Sequence, residues 1–159
     1  MKRARRAPAP VPDPPATPTP PRSDVAAPLV LVVDDYEDNR EMYASYLEFA
    51  GMRIEQAVNG SEAITKAVTL LPDLIVMDLS LPGVDGWEAT RRLKRDVRTK
   101  GILVLALTGH ALEGAEQGAK EAGCDAFLTK PCLPEDLCRE INRMLAAALA
   151  ARRNGRPRR

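Results

Sequence analysis

The stretch DLIVMDLSLPGVDGWEATRRLK, residues 73–94, decides the fold. It joins a short apolar run, Leu74 to Met77, to a helical segment that begins after Asp85, where Asp85 and Glu88 have the spacing of a helix-capping pair. A run that is apolar without alternation is typical of a strand covered on both faces, and such strands occur in parallel sheets. Residues 73–94 therefore predict one strand and helix unit of a parallel α/β sheet.

Four further units of the same kind surround this stretch. The other short apolar runs are Leu29 to Val33, Met52 to Ala57, Ile102 to Leu107 and Ala126 to Leu128. Apolar residues at helical spacing follow these runs at Met42, Tyr43, Tyr46, Leu47 and Ala50, at Ala63, Ile64, Ala67, Val68 and Leu71, and over Ala111 to Ala122. A fifth helix follows Pro134, and its predicted core stripe is Leu137, Ile141, Met144, Leu145 and Leu149. Five units in series predict one doubly wound, five-stranded parallel α/β sheet.

Composition separates a folded body from two tails. Nine of the 14 prolines lie in residues 1–28, which contain almost no large apolar side chain and cannot bury enough surface to offset the entropy of ordering. We therefore predict a disordered basic tail at 1–28, a folded domain at 29–151 and a second disordered basic tail at 152–159. The three cysteines lack the spacing of a metal knuckle or a redox motif, and no stretch resembles a signal peptide or a membrane span. We expect a cytoplasmic protein with reduced thiols.

The net charge of +1 conceals an uneven distribution. Of 23 basic and 22 acidic side chains, five basic and two acidic lie in residues 1–28, and five basic lie in residues 152–159. Residues 29–151 therefore hold 13 basic and 20 acidic side chains, a net charge of −7. Tails rich in Arg and Pro without interleaved aromatic residues are usually solvated, so we favour solvated tails over a role in nucleic-acid binding.

Polar residues stand at the ends of four predicted strands. Asp34 and Asp35 end the first strand, Asp78 ends the third, Thr108 follows the fourth and Lys130 follows the fifth. Because the carboxyl ends of parallel strands meet at one edge of a sheet, we expect these five side chains to lie close together. Each alone has an ordinary structural explanation, such as a helix cap, a turn or a solvated charge. Together they indicate a functional site.

Three carboxylates at neighbouring strand ends would repel one another in a partly desolvated crevice unless a cation or Lys130 offset their charge. Carboxylate and water ligands suit Mg²⁺ rather than zinc or copper. A divalent ion held by Asp34, Asp35 and Asp78 would attract a phosphoryl donor and stabilise the transferring group. The Asp78 carboxylate would then be the nucleophile and would form an acyl phosphate.

These residues lie in motifs that resemble the receiver domains of bacterial response regulators. The resemblance covers nearly all of residues 29–150, through VLVVDDYEDNR, DLIVMDLSLPGVDGWEATRRLK, LVLALTGHA and DAFLTKP. It implies a flavodoxin-like (βα)5 fold with strand order 2-1-3-4-5, for which a chemotaxis receiver is a standard example. It also implies a stand-alone module of two-component signalling.

The resemblance implies a metal-binding role for four residues. Asp34 and Asp35 would position the Mg²⁺ ion, while Asp78 would both contact the ion and accept the phosphoryl group. The backbone carbonyl of Ser80 would be a further metal ligand.

The resemblance also implies a switch. Thr108 would hydrogen-bond one phosphoryl oxygen, and Lys130 would pair with another and contact Asp78 when the site is empty. The bond between Lys130 and Pro131 would be cis, as is frequent in the family. Phe127, three residues before Lys130, would move with Thr108, although Phe lacks the hydroxyl group of the commoner Tyr.

Partners and activity follow from the same resemblance. The donor would be a sensor histidine kinase or a histidine phosphotransfer protein, and a downstream target protein would bind the face formed by the fourth helix, the fifth strand and the fifth helix. We expect a phosphoryl acceptor that assists its own phosphorylation and dephosphorylation rather than an enzyme. We also expect no membrane association, and a monomer or a phosphorylation-dependent dimer.

Three other functions are alternatives to a receiver, and one of them, a flavin-binding electron carrier, shares the predicted topology. A metal-dependent phosphatase working through phosphoaspartate would be expected to show an Asp-x-Asp pair at the first strand and a late acidic cluster, and neither is present. A flavin-binding electron carrier needs a phosphate loop rich in Ser, Thr and Gly where Asp34 and Asp35 stand. A structural adaptor with a degenerate site is disfavoured because all five expected residue types are present.

Overall fold

The computed structural model describes residues 26–81, 83–109 and 114–155. In these residues five strands and five helices alternate along the chain, as predicted. The strands are β1 (Leu29–Val33), β2 (Arg53–Ala57), β3 (Leu74–Asp78), β4 (Leu103–Thr108) and β5 (Ala126–Thr129). The helices are α1 (Glu37–Phe49), α2 (Gly60–Leu70), α3 (Gly86–Arg95), α4 (Ala115–Ala122) and α5 (Pro134–Asn154).

The strands form one parallel sheet in the order β2-β1-β3-β4-β5, which confirms the predicted topology. The chain leaves β1 toward one edge of the sheet to form β2, and it forms β3 on the other side of β1. This reversal opens a crevice at the carboxyl ends of β1 and β3, the position where open α/β sheets bind ligands. In the register of the sheet, Val33 lies opposite Met77, so the residues that follow both strands face each other across this crevice.

Helices cover both faces of the sheet. Val30 and Val32 of β1 pack in one cluster with residues of α1 and α5, while Leu31 and Val33 pack in a second cluster with residues of α2 and α3. Helix α4 lies on the same face as α2 and α3, where Ala119 packs against Ala106 of β4. Burial on both faces explains why the central strands β1, β3 and β4 are continuous apolar runs rather than alternating patterns, whereas the edge strand β2 contains polar residues.

Side-chain caps define the starts of two helices, α3 and α2. The Asp85 carboxylate accepts a hydrogen bond from the Glu88 amide at 2.8 Å, which makes Asp85 the N-cap of α3, as its spacing predicted. Asn59 caps α2 in the same way, through the Glu62 amide at 2.8 Å. These caps satisfy amide groups that a helix leaves unpaired at its start.

Four of the apolar residues at helical spacing are exposed, and one of them, Leu149, was wrongly predicted to lie in the core stripe of the fifth helix. Met42 and Leu149 are 43% and 53% exposed, and Ala50 and Leu71 are exposed as well. In α1 the buried stripe includes Ala44 instead of Met42, and Ala50 lies beyond the last helical turn. Leu71 adopts the left-handed conformation that ends α2.

The exposure of Leu149 follows from the length of α5. At about 1.5 Å per residue, its 21 residues span about 31 Å, whereas a five-residue strand spans about 17 Å. The last turns of α5 therefore extend beyond the ends of the strands. The helix also continues through Asn154, three residues into the segment predicted to be a tail.

Some predictions fall on residues outside the described ranges. These are most of the N-terminal tail (1–25), the end of the C-terminal tail (156–159) and the start of the fourth helix (111–113). Within the described part of the chain, no helix has both the length and the apolar character needed to cross a membrane.

Gly86 allows α3 to begin directly against the end of β3. A methyl group built on Gly86 would lie 2.1 Å from the backbone oxygen of Asp78 and 2.8 Å from the Cα atom of Leu79. Both neighbours are backbone atoms, which cannot rotate away. The absence of a side chain at this position therefore sets how closely α3 approaches Asp78.

We expect the substitution Gly86→Ala to lower the free energy of unfolding by about 1–3 kcal/mol, the usual cost of forcing extra volume into a packed site. Gly101→Ala is the matched control, because a methyl group there would meet no atom within 4 Å. Its free energy of unfolding should stay within about 0.5 kcal/mol of wild type. Urea denaturation measures both variants, and equal stabilities would contradict the close packing of α3 on Asp78.

Candidate functional site

The carboxyl edge of the sheet brings the predicted site residues together. Asp34 follows β1, Asp78 ends β3, Thr108 ends β4 and Lys130 follows β5. Asp34, Asp35 and Asp78 each offer a carboxylate oxygen, and these oxygens lie within 4.8 Å of one another. The backbone amide of Lys130 donates to the Thr108 carbonyl at 2.7 Å, so the end of β4 holds the start of the loop between β5 and α5.

The Lys130 ammonium group bridges the two buried carboxylates. Its Nζ atom lies 3.0 Å from Asp34 Oδ2 and 3.4 Å from Asp78 Oδ2. Asp34 is only 2% exposed and Asp78 only 5% exposed, so water screens these contacts weakly. The contact with Asp78 was expected, whereas the shorter one with Asp34 was not. The peptide bond between Lys130 and Pro131 is cis.

The Oδ1 atom of each buried carboxylate, which does not contact Lys130, accepts a hydrogen bond from a backbone amide. Asp34 Oδ1 accepts a hydrogen bond from the Tyr36 amide at 2.9 Å, and Asp78 Oδ1 accepts one from the Ser80 amide at 2.9 Å. Both are short-range turns in which an Asp side chain bonds the backbone two residues later. One oxygen of each carboxylate is thus held by its own loop, while the other faces Lys130.

Burial and charge act in opposite directions on the acceptor. Burial raises the pKa of Asp78 above its usual range, and the Ser80 amide and the Lys130 charge only partly offset this. Burial lowers the pKa of Lys130, but the hydrogen bond to Asp34 and the charges of both carboxylates outweigh it, so this pKa is raised. Lys130 therefore remains a cation at neutral pH, whereas Asp78 is harder to ionise than an ordinary Asp side chain in water.

The carboxylate cluster fits a hard cation. Two oxygens on opposite sides of one Mg²⁺ ion are about 4.2 Å apart, close to the spread of the three carboxylate oxygens here. Asp35 is exposed, so one side of the cluster is open to solvent. All the donors are oxygen atoms, the type that Mg²⁺ prefers. The role of the Ser80 carbonyl as a further ligand stays a prediction.

Arg40 stabilises the loop that carries Asp34, a role that was not predicted from the sequence. Its Nη1 atom donates to the Asp34 carbonyl at 3.1 Å, and its Nε atom donates to Gln56 Oε1 at 2.9 Å. Arg40 thus connects α1, the acidic loop and β2. The motif VLVVDDYEDNR contains this Arg, but nothing in the pattern indicates that its partner is a backbone carbonyl.

The predicted switch residue Phe127 lies in β5 opposite Ala106. It is half-buried and packs against a small cluster formed by Leu79, Ala106 and Ala119, which Trp87 also contacts. Trp87 in turn packs closely on α4, because a methyl group built on Gly118 would lie 2.8 Å from its ring. Phe127, Trp87 and α4 therefore share one packing unit next to the site.

Known proteins share this arrangement. The family model described as "Response regulator receiver domain" matches residues 30–142. The chain belongs to the response regulator receiver family. The family resemblance inferred from the sequence motifs is therefore confirmed.

The receiver is similar to proteins of different pathways. It is 38% identical over 102 residues to the polar-differentiation response regulator DivK of Brucella anthropi, which covers 64% of this chain and 83% of DivK. It is 40% identical over 116 residues to the phosphate regulon transcriptional regulatory protein PhoB of Pseudomonas aeruginosa. The aligned region covers 73% of this chain but only 51% of PhoB. The structure of the chemotaxis protein CheY4 of Vibrio cholerae matches with a TM-score of 0.71 and 32% identity, over 74% of this chain and 98% of CheY4.

In the receiver without metal, we expect Asp78→Asn to raise the free energy of unfolding at pH 7 by on the order of 1 kcal/mol, a usual size for a change at one polar group. The folded state holds the Asp78 proton more tightly than the unfolded chain, so ionisation of this group costs stability as pH rises above about 3.9. The gain should therefore shrink as pH falls toward 4. Urea denaturation in EDTA across this pH range measures it.

Asp85→Asn is the control for the loss of one negative charge, because Asn caps a helix as well as Asp does. Its free energy of unfolding should change by less than about 0.5 kcal/mol. An Asp78→Asn variant less stable than wild type at pH 7 would show that Lys130 outweighs burial at this site.

Proposed function

We propose that this receiver is a signalling protein in which Asp78 accepts a phosphoryl group from a phosphohistidine of a sensor histidine kinase or a histidine phosphotransfer protein. The observation that carries the proposal is the bridge from Lys130 to Asp34 and Asp78 within a cluster of three carboxylates at the carboxyl edge of the sheet. The bridge places a cation beside the nucleophile, and the cluster has the donor atoms for a metal ion. Membership of the receiver family supports the same chemistry.

The transfer is a substitution at phosphorus. An oxygen of the Asp78 carboxylate attacks, the P–N bond to the donor imidazole breaks, and the imidazole takes the electron pair and a proton. Lys130 already contacts Asp78, so its ammonium group can follow a phosphoryl oxygen with little movement. Thr108, at the end of the neighbouring strand, would donate to a second oxygen.

Asp34, Asp35, Asp78 and the Ser80 carbonyl would hold Mg²⁺. The ion would supply the positive charge that offsets the phosphoryl oxygens during transfer. The buried Asp34 and the exposed Asp35 would have different roles. Asp34 keeps Lys130 in place, and Asp35 presents a carboxylate on the open side from which a hydrated ion arrives.

The phosphorylated state would act by changing the surface formed by α4, β5 and α5. Contact between Thr108 and the phosphoryl group would favour inward packing of Phe127, whose cluster includes Ala119 of α4. Similarity to the response regulator DivK and the chemotaxis protein CheY4 over most of their lengths supports a signalling role, and this surface would be where a target protein binds. The receiver itself would be a phosphoryl acceptor that assists its own phosphorylation and dephosphorylation, as a monomer or as a dimer formed on phosphorylation.

Incubation with acetyl phosphate and Mg²⁺ should add one phosphoryl group to the receiver, because the ion offsets the negative charge that otherwise repels the donor. The adduct should be labile to base, as expected of an acyl phosphate, and absent in EDTA. Intact mass spectrometry measures it.

Asp78→Asn should form no adduct. Asp73→Asn is the matched control, because Asp73 precedes the same strand at its opposite end, and this variant should react like wild type. An adduct on Asp78→Asn, or one on wild type that forms equally well in EDTA, would contradict the assignment of Asp78.

Trp87 is the only tryptophan in the chain and should report the switch. We expect beryllofluoride with Mg²⁺ to change its fluorescence emission, because Trp87 contacts both α4 and the cluster of Phe127. Thr108→Val should remove most of this change while Asp78 still accepts a phosphoryl group. Thr129→Val, at the exposed residue opposite Thr108 on β5, is the control and should keep the full change. An unaltered response in Thr108→Val would count against the Thr108 switch.

A further inference from the structure

The hydroxyl group of Tyr43 connects α1 to the loop that carries Lys130. It donates a hydrogen bond to the carbonyl oxygen of Cys132 at 2.9 Å, across 89 positions of sequence. Cys132 lies only two residues after Lys130 in the loop between β5 and α5. The bond therefore fixes the backbone close to the ammonium group that bridges Asp34 and Asp78.

The loop is held on both sides of the Lys130 side chain. Before it, the Lys130 amide bonds the Thr108 carbonyl at 2.7 Å. After it, the Cys132 carbonyl accepts the Tyr43 hydroxyl. Since β5 is at the edge of the sheet and is separated from β3 by β4, Lys130 has to reach across the end of β4 to meet the carboxylates. A long side chain that spans such a distance depends on the position of its backbone.

Helix α1 is itself fixed to the acidic loop. It begins at Glu37, directly after the loop of Asp34, and Arg40 donates to the Asp34 carbonyl at 3.1 Å. These contacts therefore form a closed ring. It runs from Asp34 along α1 to Tyr43, then to the loop of Cys132 and Lys130, and back to Asp34. Two contacts close it, the Tyr43 hydrogen bond at 2.9 Å and the Lys130 ion pair at 3.0 Å.

The hydroxyl group is separable from the packing role of the ring. Tyr43 is 3% exposed, and its ring packs in the core cluster with Leu47 and Leu137, where a Phe ring would fit equally well. Burial raises the pKa of Tyr43 above its ordinary value, so the hydroxyl stays protonated and can donate. Packing alone does not require this hydroxyl.

The Cys132 carbonyl lies beside a crevice that water can enter. A crevice of about 360 Å³ opens between α1 and the loop, lined by Met42, Tyr43, Lys130 and Cys132 among others. Water in this crevice could bond the carbonyl, so that loss of the hydroxyl would loosen the loop without leaving an unsatisfied buried group.

We propose that Tyr43 is a positioning residue for the phosphoryl reaction, holding the loop between β5 and α5 so that the Lys130 ammonium group stays beside Asp78. This role rests on the proposed function of the site. It differs from a general structural role because it concerns the phosphoryl group and not the metal ion, whose proposed ligands lie on other loops. Tyr43→Phe removes only the hydroxyl, and Tyr46→Phe removes the equivalent group one turn further along α1, away from the site.

The test compares wild type and both variants by their affinity for beryllofluoride with Mg²⁺, their affinity for Mg²⁺ alone, and their rate of phosphorylation at saturating acetyl phosphate. We expect Tyr43→Phe to weaken beryllofluoride binding and to slow phosphorylation by about 3- to 10-fold, the effect of losing one hydrogen bond. Its Mg²⁺ affinity should stay within about twofold of wild type. Tyr46→Phe should match wild type in all three measurements. Hydrogen exchange of the peptide containing residues 130–133 should be faster in Tyr43→Phe alone.

Three results would overturn the proposal, each for a different reason. If wild type neither binds beryllofluoride nor accepts a phosphoryl group, the proposed function fails and the role of Tyr43 fails with it. If wild type reacts but Tyr43→Phe matches Tyr46→Phe, only the positioning role fails. If Tyr43→Phe loses Mg²⁺ affinity to the same extent as beryllofluoride affinity, its effect is a general disturbance of the site.

Discussion

The contact of the Lys130 ammonium group with the carboxylates of Asp34 and Asp78 is the interaction on which this site depends. A parallel sheet in which β1 and β3 are neighbours forces the residues after both strands into one crevice, where two ionised carboxylates repel each other. Lys130 reduces this repulsion from two strands away. The loop between β5 and α5 must therefore be held in place from several sides, by Thr108 before Lys130 and by Tyr43 after it.

The site has a buried inner side, where Lys130 contacts two carboxylates, and an exposed outer side. On the inner side, one carboxylate oxygen of Asp34 and one of Asp78 accept a hydrogen bond from a backbone amide of their own loop. The other oxygen of each faces Lys130, so both side chains have little freedom to rotate. On the outer side, Asp35 is exposed and can meet a hydrated ion. If Asp78 is the acceptor as proposed, a carboxylate held in one orientation beside an open cluster of oxygen ligands suits transfer of a charged group that arrives from solvent.

Much of this could be predicted from the sequence, for identifiable reasons. Strands buried on both faces leave continuous apolar runs, and Leu29–Val33 was predicted to the residue. Helical spacing indicates a helix but not how far it extends past the sheet, which is why Leu149 was wrongly placed in the core. The contacts of Arg40 with Asp34 and of Tyr43 with Cys132 end on backbone carbonyls, and every residue has one, so no residue pattern marks them. The shorter contact of Lys130 with Asp34 depends on where the loop lies in space.

A crystal structure of the receiver with Mg²⁺ and beryllofluoride would show directly whether Lys130 contacts a phosphoryl-like group bound to Asp78. We expect beryllofluoride on the Asp78 carboxylate and Mg²⁺ held by Asp34, Asp35, Asp78 and the Ser80 carbonyl. The Lys130 ammonium group should bond a fluorine atom while the Tyr43 hydrogen bond persists. Beryllofluoride on another residue, or Lys130 turned away from Asp78 in a fully occupied site, would contradict this expectation.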